Sequence, residues 1–137
     1  MPRGERELNV LIVEDEPHLR DALRLILEDR GFSVATAATG GAGLELARRG
    51  DLDLVITDLR LPDMTGLDVL RAVRETNPRA ALILTTSYGS PEIFAEARSL
   101  GAAAILDKPF SPAQLLHMID ATLGGNASGA QHNHVSG

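Results

Sequence analysis

Five short apolar runs recur along the chain, and each is followed by a segment with helical periodicity. The runs are 8–13 (LNVLIV), 32–37 (FSVATA), 52–57 (LDLVIT), 80–85 (AALILT) and 103–106 (AAIL). Apolar residues at consecutive positions are typical of strands buried on both faces of a parallel sheet. Strand and helix therefore alternate five times, which predicts an α/β domain with a parallel sheet and right-handed crossovers.

Start and stop signals mark the intervening helices. The first is predicted between Pro17, which a first helical turn tolerates, and Gly31, which can end a helix. The inner stripe of this helix consists of Leu19, Leu23, Ile26 and Leu27. Ser90-Pro91 and Ser111-Pro112 place an N-cap serine before proline, which predicts that the fourth and fifth helices begin there. Ser111 and Gln114 have the spacing of a capping box.

The second and third helices have less sharply defined ends. Thr39 is expected to cap the second, which turns Leu44 and Leu46 inward and ends at Gly50. The third is expected to open at Gly66 and to end at Asn77-Pro78.

The periodic pattern indicates one domain of ordinary size in a chain of 137 residues. Residues 1–7 are interpreted as an N-terminal extension and residues 8–123 as the domain. Residues 124–137 are rich in Gly, Ser, Asn and His and contain few apolar residues. This composition predicts a flexible tail.

Composition and charge exclude several functions. The chain has no cysteine, which rules out disulfides and thiolate metal or redox sites. A net charge of −6 argues against direct binding to nucleic acid, which requires a concentrated basic surface. The sequence contains no long apolar run and no recognisable signal peptide, so we expect a cytoplasmic protein without a membrane partner.

Polar side chains cluster after four of the five runs. Glu14-Asp15-Glu16 follows the first run, Asp58 the third, Thr85-Thr86-Ser87 the fourth and Asp107-Lys108 the fifth. The carboxyl ends of parallel strands share one edge of the sheet, where ligands bind. Several carboxylates at one edge repel each other unless a cation joins them, and hard oxygen ligands suit Mg²⁺. Asp58 could then act as a nucleophile in phosphoryl transfer, assisted by an ammonium and a hydroxyl group.

Four motifs occur in the order found in a known family. They are VEDE at 13–16, TDLRLPDMTG at 57–66, TSYG at 86–89 and DKPF at 107–110. In these motifs the chain from about residue 9 to residue 123 resembles the receiver domain of bacterial response regulators. The resemblance implies a doubly wound, flavodoxin-like (βα)5 fold, a three-layer sandwich with strand order 2-1-3-4-5.

The resemblance also implies a role for each site residue. Asp58 would be the phosphorylation site and a metal ligand, Asp15 a direct Mg²⁺ ligand, Glu14 a water-linked neighbour, Arg60 a ligand through its main-chain carbonyl, Thr86 the switch hydroxyl and Lys108 the phosphate-binding residue. Thr85 competes for the switch role, but the family spacing to the lysine favours Thr86. The Lys108-Pro109 peptide bond is expected to be cis, as is common in the family.

One residue departs from the family pattern, and two others occupy positions that affect the lifetime of the phosphorylated state. Ile105 stands three residues before Lys108, where many receivers have an aromatic residue coupled to the switch hydroxyl. Aromatic switching at that position is therefore not expected. Arg60 and Tyr88 occupy positions that in the family influence the lifetime of the phosphorylated state, in a direction that the sequence leaves open.

The function implied is a phosphorylation-dependent switch rather than a turnover enzyme. A histidine kinase or phosphotransfer protein, or a small acyl phosphate, would donate to Asp58, and the domain would assist its own phosphorylation and dephosphorylation. Phosphorylation would shift the face formed by the fourth helix, fifth strand and fifth helix. This face would act on a downstream protein or on an output domain. It is also a possible homodimer interface. The chain would be a stand-alone regulator or a receiver excised from a longer protein.

Two other function classes fit less well. A Mg²⁺-dependent phosphohydrolase of the haloacid dehalogenase type usually has a second acid two residues after its nucleophile, where this chain has Arg60. A receiver-like scaffold that works without phosphorylation is disfavoured because all the site positions carry chemically competent residues.

Overall fold

The computed structural model describes residues 7–124, within which five strands and five helices alternate. The strands are β1 (Asn9–Val13), β2 (Ser33–Ala37), β3 (Leu54–Asp58), β4 (Ala81–Thr86) and β5 (Ala102–Asp107). The helices are α1 (Pro17–Asp29), α2 (Gly40–Ala47), α3 (Gly66–Thr76), α4 (Pro91–Ser99) and α5 (Pro112–Gly124). Residues 1–6 of the predicted extension, and the predicted tail from residue 125 onward, lie outside the described residues.

The strands form one parallel sheet in the order β2-β1-β3-β4-β5, which confirms the predicted fold class and strand order. The chain reverses its direction of winding between β1 and β3, so the carboxyl ends of these two strands flank the switch point where ligands bind in such sheets. One face of the sheet is covered by α1 and α5, and the opposite face by α2, α3 and α4. The two apolar layers between sheet and helices form the core.

Burial differs between the centre and the edges of the sheet. Nearly every residue of β1, β3 and β4 is buried, as predicted for strands covered on both faces. The same prediction is wrong for β2 and β5, where Ser33, Ala103 and Asp107 are exposed and most others only half-buried. Edge strands have one neighbour instead of two, so part of their surface stays in contact with solvent.

The predicted helix signals largely operate as expected. Thr39 and Ser90 accept hydrogen bonds from backbone N–H groups of the first turns of α2 and α4. Ser111 and Gln114 exchange both bonds of the capping box, at 2.7 and 3.0 Å. Gly31 follows α1 with a φ of 95°, a left-handed conformation that favours glycine. The Lys108-Pro109 bond is cis, as predicted.

Helix α2 is the element that the sequence described least accurately. It ends at Ala47 rather than at Gly50, and its most buried positions are the small residues Gly40, Gly43 and Ala47. The predicted inner residues, Leu44 and Leu46, are only partly buried. A Cβ atom on Gly43 would lie 2.8 Å from Cγ2 of Val13, so the absence of a side chain lets α2 approach β1 closely.

Within residues 7–124, none of the helices has the length and apolar character needed to cross a membrane. The cytoplasmic location predicted from the sequence stays a prediction.

Candidate acidic site at the carboxyl edge of the sheet

Asp58 is the last residue of β3, and only 8% of its surface is exposed. The sequence placed it just after the strand, but the structure pairs it with Thr85 inside the ladder. The next residue, Leu59, donates its N–H to the carbonyl of Thr85 at 2.9 Å. Strand β4 therefore fixes the backbone at Asp58 and at the next residue, which limits the directions that the Asp58 carboxylate can take.

The loop after Asp58 folds back closely against the strand. Gly66 opens α3 and donates its N–H to the carbonyl of Leu59 at 2.7 Å, while Arg60 and Thr65 form an antiparallel bridge. A Cβ atom on Gly66 would collide with the carbonyl oxygen of Asp58 and lie 2.9 Å from Leu84. Glycine at this position lets α3 begin directly behind the end of β3.

Three carboxylates meet at this edge. Glu14, Asp15 and Asp58 each offer an oxygen atom within 4.8 Å of the others, although they come from two strand ends. Glu14 is almost completely buried, and Asp15 is exposed. The structure thus brings together the three acids that the sequence assigned to one site.

Lys108 lies between two of these acids. Its Nζ atom is 3.0 Å from Oε1 of Glu14 and 3.3 Å from Oδ1 of Asp58. Its backbone N–H donates to the carbonyl of Thr86 at 2.9 Å, which attaches the start of the β5–α5 loop to the end of β4. The second oxygen of Glu14 accepts the N–H of Glu16 at 3.1 Å. Glu14 is therefore held at both of its carboxylate oxygens.

Burial and charge perturb the titration of this cluster. Desolvation raises the pKa of Glu14 and of Asp58 above their usual values, although Lys108 opposes the rise. Burial disfavours the charged form of Lys108, but its hydrogen bond to Glu14 and the nearby carboxylates raise the pKa of Lys108 overall. Three carboxylates around one ammonium group leave an excess of negative charge at the site.

This donor set fits a divalent cation with a preference for oxygen. Carboxylate oxygens that converge within a few ångströms are suitable ligands for Mg²⁺, which also retains several waters. The added charge would relieve the repulsion between Glu14, Asp15 and Asp58. The peptide of Arg60 lies in the loop immediately after Asp58, and the role of its carbonyl as a ligand stays a prediction.

Thr86 is buried at the end of β4, the strand that pairs with β3. Its hydroxyl oxygen accepts the N–H of Tyr88 at 2.9 Å, so it contacts the loop that leads into α4. Thr85 is also buried, and it is the residue that pairs with Asp58 in the sheet. The assignment of the switch hydroxyl to Thr86 stays a prediction.

Two residues at the rim of the site contact each other. The guanidinium of Arg60 lies 5.2 Å from the centre of the Tyr88 ring, a cation–π arrangement. Tyr88 is 69% exposed, so the pair stands on the surface. The sequence identified both positions as tuning residues but gave no sign that they touch.

Two further contacts of the site were missed by the sequence analysis. Asp63 accepts the N–H groups of Gly40 and Gly41, both at 2.8 Å, and these bonds lower its pKa. They join the β3–α3 loop to the start of α2. Arg20 of α1 donates to the main-chain carbonyls of Glu14 and Asp15. The Asp63 bonds join residues 23 and 22 positions apart. Arg20 lies only six and five positions from its acceptors, but its contact depends on the path of the β1–α1 loop, which no residue pattern indicates.

The raised pKa of Asp58 predicts how stability depends on pH without a divalent cation. A carboxyl group whose pKa is raised by folding stabilises the fold only in its protonated form, so this contribution is lost as pH rises through the folded pKa. Asp58→Asn should therefore raise the melting temperature at neutral pH in a chelating buffer. The gain should shrink toward zero below about pH 4, where Asp58 is protonated in both states.

Thermal unfolding followed by circular dichroism from about pH 3 to about pH 8, a range that extends well above the usual carboxyl pKa of about 4, checks this prediction. The exposed Asp21→Asn variant is the control for the change in net charge. A gain for Asp58→Asn that is independent of pH would contradict the assigned cause.

Comparison with known proteins places the chain in a family. The model of the response regulator receiver domain matches residues 10–120. The transcriptional regulatory protein CusR of Escherichia coli is 38% identical over 121 residues, which cover 88% of this chain and 53% of CusR. The chain spans about half the length of the curated relatives it matches.

Solved structures agree with this result. A CheY-like receiver domain from Methanospirillum hungatei is 34% identical, with a TM-score of 0.84, and covers 87% of this chain and 95% of that one. A response regulator from Burkholderia pseudomallei, solved with a phosphorylated aspartic acid, calcium ion and citrate, is 27% identical with a TM-score of 0.77; the match covers 85% of this chain and 66% of that one.

Phosphorylation-dependent switching and Mg²⁺ are general features of this family of signalling domains. With the fold, the strand order and the family model in agreement, the chain belongs to the receiver domains of two-component response regulators.

Proposed function

We propose that this domain is a switch in which Asp58 accepts a phosphoryl group from the phosphohistidine of a histidine kinase or phosphotransfer protein. The observation that carries the proposal is the convergence of Glu14, Asp15 and Asp58 around one edge, with Lys108 in contact with Asp58 at 3.3 Å. The phosphorylated aspartic acid and the calcium ion in the Burkholderia pseudomallei relative support it.

The transfer requires little from the protein besides positioning and charge. An Asp58 oxygen attacks phosphorus in line, the phosphorus–nitrogen bond of the donor breaks, and an acyl phosphate remains on Asp58 while the imidazole leaves. The Lys108 ammonium, already beside the acceptor oxygen, neutralises charge on the transferring group. When bound, Mg²⁺ supplies further positive charge to the phosphoryl oxygens.

The residues for holding Mg²⁺ follow from the acidic cluster and the resemblance. Asp15 and Asp58 would bind it directly, Glu14 through water and Arg60 through its main-chain carbonyl. Glu14 is the most buried of the acids and is already bonded to Lys108, which suits an indirect role. Phosphorylation and dephosphorylation of Asp58 would both depend on this set.

Thr86 would transmit the effect of the phosphoryl charge on Asp58 to the rest of the domain. Its hydroxyl accepts the N–H of Tyr88, and a hydroxyl that accepts can also donate, here to a phosphoryl oxygen. A movement of Thr86 would therefore displace the β4–α4 loop and, through it, the face formed by α4, β5 and α5. Ile105 on this face is half-buried and packs against the core, so the readout would proceed without an aromatic relay.

The face of α4, β5 and α5 would act on a downstream protein or on an output domain, and it is also the proposed homodimer interface. Both uses follow from a shift between two states that exist before phosphorylation and differ in this surface.

The proposal is tested by incubating the chain with Mg²⁺ and acetyl phosphate and measuring its intact mass. We expect one phosphoryl adduct that survives brief acid, is removed by hydroxylamine and fails to form with a chelator. Borohydride reduction and peptide mapping should then place the modification on Asp58. Absence of an adduct, or modification of another residue, would overturn the proposal.

A further inference from the structure

Arg20, the fourth residue of α1, contacts the main chain of the acidic site. Its Nη1 atom donates to the carbonyl oxygen of Glu14 at 3.0 Å and to that of Asp15 at 3.3 Å. Within residues 7–124, no ion pair links Arg20 to a carboxylate. The half-buried guanidinium therefore acts on the backbone of these two residues and leaves their side chains to other partners.

The contact matters most for Asp15. The carboxylate of Glu14 is already fixed by Lys108 and by the N–H of Glu16. Asp15 is exposed, and in the described part of the chain its carboxylate makes no hydrogen bond. Its position relative to Glu14 and Asp58 thus depends on the conformation of the β1–α1 loop, whose two carbonyls Arg20 holds together.

We propose that Arg20 is a positioning residue for the divalent cation, an inference that rests on the proposed function. Hydrogen bonds from a charged donor are stronger than those between neutral groups. By fixing the peptides of Glu14 and Asp15, Arg20 keeps the Asp15 carboxylate near the other two acids before the cation arrives. Outer partners that orient ligands in this way contribute to metal affinity.

The positive charge of Arg20 has the opposite effect on the affinity of the site for Mg²⁺. A cation close to the site repels Mg²⁺, so removal of the charge alone would tighten binding. Removal of the positioning contact would weaken binding. The sign of the change in Mg²⁺ affinity therefore distinguishes a positioning role from a purely electrostatic one.

Arg24 provides a matched control on the same helix. It lies one turn beyond Arg20, and its guanidinium contacts Asp21 at 3.6 Å and Glu28 at 3.1 Å instead of the β1–α1 loop. Arg20→Met and Arg24→Met each remove one positive charge and retain an unbranched side chain. Arg20→Lys keeps the charge but lacks the forked donor group.

The experiment measures the rise in melting temperature of each 137-residue variant as MgCl₂ is titrated without a phosphodonor. Wild type and Arg24→Met should reach half of the rise at the same Mg²⁺ concentration. Arg20→Met should need roughly three- to tenfold more Mg²⁺, at or below the lower end of the effects of about 10- to 100-fold that are typical of outer partners, because the site is open to solvent. Arg20→Lys should lie between them, and Arg24→Met should keep the wild-type phosphorylation rate at saturating Mg²⁺.

Equal or tighter Mg²⁺ binding by Arg20→Met, with a normal response of the wild type, would overturn the role of Arg20 and leave the proposed function intact. A wild-type chain that shows neither a Mg²⁺-dependent rise nor an adduct on Asp58 would overturn both. If Arg20→Met does not fold, Arg20→Lys decides by the same titration: a half-saturation equal to that of the wild type would count against the positioning role.

Discussion

The Asp58→Asn variant is expected to take up no phosphoryl group from acetyl phosphate at any Mg²⁺ concentration. The asparagine side chain has nearly the same size and keeps the β3 ladder intact, but its neutral amide is a poor nucleophile. Lys108 also retains its 3.0 Å partner, Glu14, so the geometry around the lost acceptor should persist. The variant therefore separates loss of the nucleophile from loss of the fold.

Intact mass after incubation, followed by peptide mapping, measures the effect. Asp21→Asn serves as the matched control, because it removes the same charge from an exposed position on α1 and should be phosphorylated like the wild type. A hydroxylamine-sensitive adduct that persists in Asp58→Asn would show that another carboxylate is the acceptor. That outcome would contradict the proposed role of Asp58.

The fold could be predicted from the sequence because its strongest signals are local. Runs of consecutive apolar residues and the proline, serine and glycine signals each act over a few residues, and they located all ten elements. The strand order was taken from the resemblance, since apolar patterns do not say which strands are neighbours. Edge positions were missed for the same reason: β2 and β5 have apolar runs similar to those of the buried strands.

Helix α2 shows where residue patterns mislead. The largest apolar side chains, Leu44 and Leu46, were assigned to the inner face by size. The structure instead buries Gly43 and Ala47, because the space between α2 and β1 is too narrow for larger residues. The sequence alone does not contain the distance between a helix and a strand, and that distance decides which residues pack inside.

The site was predictable as a set of residues but not as a set of contacts. Parallel strands bring their carboxyl ends to one edge, so Glu14, Asp58 and Lys108 had to lie near each other once the fold was correct. The direct pairing of Lys108 with Glu14 joins residues 94 positions apart and depends on side-chain reach. The Arg20 contact likewise depends on how α1 leaves the sheet.

Gly66→Ala is expected to destabilise the domain and to displace the acceptor. The new methyl group would collide with the carbonyl oxygen of Asp58 and lie 2.9 Å from Cδ1 of Leu84. Leu84 can turn aside, but the Asp58 carbonyl belongs to a strand paired on both sides and can move only with it. Overpacking of this kind costs about 2–3 kcal/mol of unfolding free energy. A small shift of Asp58 should also slow phosphorylation about 10- to 100-fold.

Urea unfolding followed by circular dichroism gives the free energy of unfolding, and the time course of the phosphoryl adduct gives the rate. Gly124→Ala is the control, because a Cβ atom there meets no atom of residues 7–124 within 4 Å and alanine favours the helix. Its stability should equal or slightly exceed that of the wild type. If Gly66→Ala instead remained within about 0.5 kcal/mol of the wild type, as surface substitutions do, the start of α3 could not be packed against the Asp58 backbone. Loss of stability together with slower phosphorylation would link that packing to the placement of the acceptor.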